Sequence, residues 1–264
     1  MGGNAVSANV LGTIGTIFWC IQLVPQVIHN WKRKDCTGLP PLMMFLWSVC
    51  GVPFSVYFVC KDANIPIQVQ PQLFTFFAGI CWAQSLYYTP RDWALKKTVV
   101  VLVGTFIVFA GVECALIFPL RKIYQERGIE WPITLMGVLA AVLLAAGLIP
   151  PYLELWKRKG QVVGINFIFL GIDTLGATFS IFSLVAEGDG PDFDILGCVI
   201  YAVVLCLELG IFTSHVIWMI RFRKERKLAK AKLAEEEEDI ETQTAAIDNV
   251  EQPQQTEDIE ELPK

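Results

Sequence analysis

Apolar residues in this chain come in runs of about twenty, separated by short polar or charged breaks. Seven runs can be marked, at residues 6–28, 40–60, 67–88, 98–120, 132–156, 164–186 and 195–220. A helix needs ~20 apolar residues to cross ~30 Å of hydrocarbon, and in lipid each segment must satisfy its own backbone polar groups. The pattern therefore predicts an all-α integral membrane protein with seven transmembrane helices. After residue 220 it stops. Residues 221–234 are basic and helix-prone, and are expected to lie against anionic headgroups. The Gln-, Glu-, Asp- and Pro-rich stretch that follows has too little apolar surface to fold. The whole segment 221–264 reads as a largely disordered tail, a solvated one or a site for a cytosolic partner.

Composition agrees with the runs. The chain is 54% apolar and 18% charged, with mean hydropathy +0.49, against about 25% charge in soluble domains. The net charge of −5 reflects the acidic tail. The basic residues are more informative. Lys32–Lys34, Arg91, Lys96, Lys97, Lys157–Lys159 and seven more between Arg221 and Lys232 fall on one side of the predicted membrane; Lys61, Arg121, Lys122 and Arg127 fall on the other. The richer side is expected to be cytosolic, with the N-terminus lumenal or outside and the C-terminus cytosolic. The first run is no cleaved leader, since it lacks a basic start and is too long. The eight cysteines read as small hydrophobes rather than a disulfide framework.

The chain is also written twice. LVPQVIHNWKRK at 23–34 returns as LIPPYLELWKRK at 148–159, an offset of 125 residues. The same offset pairs Gly12 with Gly137, Ser48 with Asp173, Gly51 with Gly176, Phe54 with Phe179 and Ser55 with Ser180. Such a period decides the architecture. Two triple-helix bundles are expected, at 6–88 and 132–220, joined by a linker helix at 98–120. Because that helix returns the chain across the membrane, the repeats are parallel, a 3+1+3 arrangement known in transporters.

Candidate chemistry lies inside the spans. Pro25, Pro150 and Pro151 each delete a helix hydrogen bond and clash with the carbonyl four residues back, so kinks are expected at matched places; their pairing favours a hinge. Ser48, Gly51 and Ser55 share one helix face, and Asp173, Gly176 and Ser180 repeat that spacing. Small residues of this kind serve close helix packing, but Asp173 needs another reason. A mid-span carboxylate costs about 2.5–3.5 kcal/mol on insertion and usually faces a cavity or partner. Glu208 and Gln84 fall near equivalent positions and are expected to line a cavity on the pseudo-axis. Glu113 sits in the linker helix, where a structural role is as good a reading. His29 and His215 have no metal-ligand spacing.

No nucleophile elbow, HExxH, P-loop, GxGxxG or CxxC is present. An enzyme, a cofactor, a metal and a nucleic-acid partner are accordingly not expected, and uphill transport would draw on an ion gradient. Pro25–Gln26, Trp31, the basic turn and the small-residue second span resemble a PQ-loop repeat; the second copy has Pro151 where glutamine is usual. The resemblance covers about 6–220. It implies a transporter of the kind that includes lysosomal cystine and cationic amino-acid exporters and, more distantly, SWEET sugar transporters. It makes Gln26 a motif residue and Asp173 the candidate proton-binding acid, and it points to a vacuolar or lysosome-like membrane, with the plasma membrane as alternative. The expected activity is movement of a small polar solute, an amino acid first, by alternating access coupled to protons. A seven-span receptor and a non-transporting trafficking or lipid-organising factor are the other readings.

Overall fold

A computed structural model describes residues 5–63, 65–187, 195–225 and 228. Its helices are α1 (Ala5–Ile21), α2 (Val24–Arg33), α3 (Pro41–Cys60), α4 (Ile65–Tyr87), α5 (Leu95–Arg127), α6 (Trp131–Gly147), α7 (Ile149–Lys157), α8 (Phe167–Glu187) and α9 (Ile195–Arg221). No strand occurs among the described residues; Asp35 and Thr89 form an isolated bridge. Contacts divide the chain into Met1–Val216 and Ile217–Lys264. In the second unit the rings of Trp218 and Phe222 meet tilted, 6.0 Å apart at 37°. Most of the predicted acidic tail lies outside the described residues.

Six helical stretches are long and apolar enough to cross a membrane: Val6–Arg33, Pro41–Cys60, Leu95–Arg127, Trp131–Lys157, Phe167–Ala186 and Tyr201–Arg221. The expected third span is a 23-residue helix, α4. Gln68, Gln70, Gln72 and Gln84 make it too polar to join the six. The linker helix runs further than the hydropathy predicts, to Arg127, because its last turns are held by ion pairs. Arg121 meets Asp62, and Lys122 meets Glu126 one turn on. Gly128, at φ +65°, then ends it, its N–H returning 2.9 Å to the Tyr124 carbonyl.

Two of the six are broken, at the same place in the repeat. The first breaks at Gln22–Leu23 and the second at Leu148, 125 residues after Leu23. Pro25 and Pro150–Pro151 sit in the first turns of α2 and α7, where their missing N–H groups are tolerated and their rings bar a straight continuation. The short segments also end alike, at Lys34 and Lys159, both at φ +54°.

The repeats pack crosswise. α1 lies chiefly on α8, and α3 lies on α6 as well as on its own neighbour α4. Small residues allow the approach: a Cβ on Gly51 would strike Thr75, one on Gly147 would strike Trp47, and one on Gly176 would strike Trp19. The core so formed is shared, with Leu23, Met43, Met44 and Trp47 of the first repeat against Leu148, Phe169 and Leu170 of the second. Trp47 anchors it by donating from Nε1 to the Leu144 carbonyl at 3.0 Å. All eight cysteines are free. Cys36, Cys50, Cys60 and Cys81 are buried as expected of small hydrophobes, whereas Cys114 and Cys206 face outward.

Candidate functional site

The break in the first span leaves Gln22 between two helices with its side chain buried. Its amide nitrogen meets the carboxylate of Asp173 on α8, with one contact of 3.2 Å. Asp173 is 4% exposed, and beside it is Glu208 of α9, which is fully buried. Glu208 Oε2 accepts from Thr174 Oγ1 at 2.9 Å. Its other oxygen, Oε1, has no donor from any described group. Two buried carboxylates side by side repel unless something positive, a proton or a cation, comes between them. Gln22 and Thr174 supply donors to the two acids from outside the pair.

Asp173 lines a cavity of about 190 Å³, with Glu208 behind it and outside the lining. Its walls come from both repeats: Gly12, Thr16 and Trp19 of α1, Phe54 and Phe58 of α3, Gln70 and Phe74 of α4, Leu144 of α6, Asp173, Ser180 and Ser183 of α8, and Tyr201 of α9. These residues run from the helix break toward the bundle end where α1 starts, α3 finishes and α4 starts.

At the opposite, lysine-rich end the repeats are tied together. Gln26 Nε2 donates to Asn30 Oδ1 at 2.8 Å and to the Gly164 carbonyl at 2.9 Å, and Gln26 Oε1 accepts from the Asn166 N–H at 2.7 Å. Asn166 Nδ2 reaches the Pro25 carbonyl at 3.3 Å. Asn30 Nδ2 continues the chain to Gln84 Oε1 at 3.0 Å, and Gln84 Nε2 returns to the Val27 carbonyl at 3.1 Å. Beneath these bonds the loops after α2 and α7 cross backbone to backbone. Gly38 and Gly164 have φ of +89° and +80°, and a Cβ on Gly38 would be 2.5 Å from the Val163 carbonyl oxygen. The second loop is braced from α9, where His215 Nδ1 accepts from the Val162 N–H at 3.2 Å.

The residues marked in the sequence thus separate into groups. Asp173 and Glu208 meet, and Ser180 joins Asp173 in the cavity wall. Gln26 belongs to the tie at the lysine-rich end. Gln84 belongs there too, so the expected cavity pairing of Gln84 with Glu208 is not what the structure shows; a one-residue difference in register puts Gln84 over Asn30. Ser48 donates to the Thr75 carbonyl at 3.0 Å and is not in the wall of this cavity. Pro25, Pro150 and Pro151 mark the breaks. Glu113 is held by Ser55 and Gln72, a structural setting. Gln22, Asn30 and Asn166 went unmarked; each is an uncharged amide inside or beside an apolar run, which was the signal available.

Two tandem broken-helix repeats around a shared cavity define a multi-pass membrane protein of duplicated bundles. The chain matches the PQ loop repeat family at residues 7–67 and 133–193, and it belongs to that family. It is 51% identical over 231 residues to an uncharacterized membrane protein of Saccharomyces cerevisiae, covering 88% of this chain and 72% of the relative. It is 35% identical over 222 residues to an uncharacterized protein of Schizosaccharomyces pombe, covering 84% and 76%.

Proposed function

We propose that this protein is a proton-coupled transporter of a small polar solute, working by alternating access. The observation that carries the reading is Asp173 in the wall of a two-repeat cavity, with Glu208 buried beside it and the Gln26 tie toward the lysine-rich end. A cavity reached from one end and barred at the other is one state of an alternating cycle. A proton site at its base gives the cycle an energy source. The breaks at Pro25 and Pro150 supply matched hinges, because little helix hydrogen bonding is lost when the segments tilt.

In this reading α4 is the seventh span, with Gln68, Gln72 and Gln84 each hydrogen-bonded within the protein. The lysine-rich end faces the cytosol, so the cavity opens to the lumen of an acidic, vacuole-like compartment or to the cell exterior. The family makes an amino acid the first solute to try. Proteoliposomes with an imposed pH gradient, loaded with radiolabelled amino acids, amines and sugars, test the proposal. Gradient-dependent flux that Asp173→Asn abolishes supports it. Flux of no solute on the panel, with no solute-induced proton movement, favours a trafficking or lipid-organising role. Shielding of an N-terminal tag from protease in cytosol-side-out vesicles checks the orientation.

A further inference from the structure

The chemistry of the cavity wall narrows the solute. Among the described lining residues there is no Lys, Arg or His; Asp173 is the one residue that carries a formal charge, and it is negative. A carboxylate-bearing solute would bring its own negative charge to that acid with no cation to receive it, a costly burial. Two of the four lining hydroxyls give little help to an anion, because Thr16 and Ser183 already donate to the Gly12 and Ala8 carbonyls. The Gln22 amide is engaged by Asp173.

Aromatic rings make up much of the remaining wall. Trp19 and Tyr201 meet edge to face at 5.2 Å and 73°, and Phe54 stacks on Phe58 at 5.9 Å. The Nε1 edge of Trp19 lies against Gly176, without a partner. Aromatic faces beside one buried acid are the setting in which organic cations are held, by ring quadrupole and by charge.

We infer that the cavity binds a small organic cation lacking a carboxylate, an amine or quaternary ammonium, and exchanges it for a proton. This rests on the transport reading above and names its substrate class. The balance is simple. With one shared proton the Asp173–Glu208 pair carries one net negative charge and accepts one cation. A second proton neutralises the pair and the cation leaves; loss of that proton restores the site. The titratable groups facing Asp173 are Glu208 and, across the cavity, Tyr201, both from α9; α1, α3, α4 and α6 contribute none to the lining among the described residues. Cations would therefore move toward the acidic side.

The test is equilibrium binding to the full chain in nanodiscs, by calorimetry in two buffers of different ionisation enthalpy, from weakly acid to weakly alkaline pH. The probes are tetramethylammonium, glycine and glucose. Tetramethylammonium is expected to bind, to release a proton when it does so on the acid side, and to tighten by up to about tenfold per pH unit as pH rises. The doubly neutral Asp173→Asn/Glu208→Gln variant is expected to weaken binding roughly 100-fold and to abolish proton release; Trp19→Phe weakens it by a few-fold and keeps the pH dependence. The wild-type measurement stands even if a variant fails to fold. Binding of glycine or glucose with tetramethylammonium inert overturns the inference, as does tetramethylammonium binding with no pH dependence. If proteoliposomes carry another solute down a pH gradient while the cation does not bind, the inference fails and the transport reading stands. Cation binding without any flux has the opposite meaning.

Discussion

The amide of Gln26 in the first repeat and the carbonyl of Gly164 in the second are joined by a 2.9 Å hydrogen bond across 138 residues of chain. Both groups are buried, so neither has water as an alternative partner. Gln26→Leu keeps the volume and leaves the Asn166 N–H and the Gly164 carbonyl unsatisfied. The expected cost is about 1–3 kcal/mol, read as a lowered unfolding midpoint in detergent, with a shift toward states open at the lysine-rich end.

Cys36 offers a reporter for that shift. It lies in the loop after α2, 2% exposed, and burial pushes its thiol up to about 12. At neutral pH it should resist N-ethylmaleimide, because the thiolate is the reactive form. Gln26→Leu should raise its labelling, followed by peptide mass spectrometry. Equal labelling in wild type and variant means that the tie does not guard this end.

Gly164→Ala tests the loop crossing. At φ +80° an alanine is strained, and its Cβ would press on backbone atoms of 37–39 rather than on a side chain that can turn away. A loss of more than about 1–3 kcal/mol is expected, with Gly171→Ala, which meets nothing within 4 Å, as the neutral control in the same assay.

Asp173→Asn separates coupling from structure. Asparagine keeps the shape and can donate to Glu208 in place of the shared proton, so normal expression and insertion are expected. Solute flux should lose its dependence on a pH gradient by tenfold or more if each solute is coupled to one proton across a unit of pH. Wild-type pH dependence in this variant would pass the coupling role to Glu208.

The hinge residues make the last test. Pro25→Ala and Pro150→Ala let a hydrogen bond form across each break, favouring a straighter rod. Each should slow transport while leaving stability unchanged or slightly higher, since a removed proline clash is worth up to ~3 kcal/mol in helix interiors. Stopped-flow efflux from proteoliposomes measures it; unaltered rates in both variants would make the breaks static.

The architecture was legible because it is written in long apolar runs and repeated at a fixed offset, and the breaks because proline acts locally. Asp173 and Glu208 stood out because charge in lipid is expensive. Their meeting was not legible: it depends on the rotation of α8 against α9, which hydropathy does not encode. Gln84 shows the limit from the other side. Near-equivalence with Glu208 placed it in the cavity, whereas one residue of register, about 100° of helix rotation, turns it to Asn30. Gln22 and Asn166 escaped notice because a neutral amide is cheap enough to occur for many reasons.

The position that is Gln26 in the first copy is Pro151 in the second. Proline has neither the amide nitrogen nor the side-chain oxygen needed to reach back to the loop at 37–41, so the bolt between the halves is thrown from one side. The second copy instead carries both of the buried acids, Asp173 and Glu208. Duplication here has ended in a division of labour, one half supplying the glutamine of the tie and the other the buried charge. An assembly of two first halves would carry Pro41 where the tie needs the Asn166 N–H and Ser48 where the acid stands, and so would have neither.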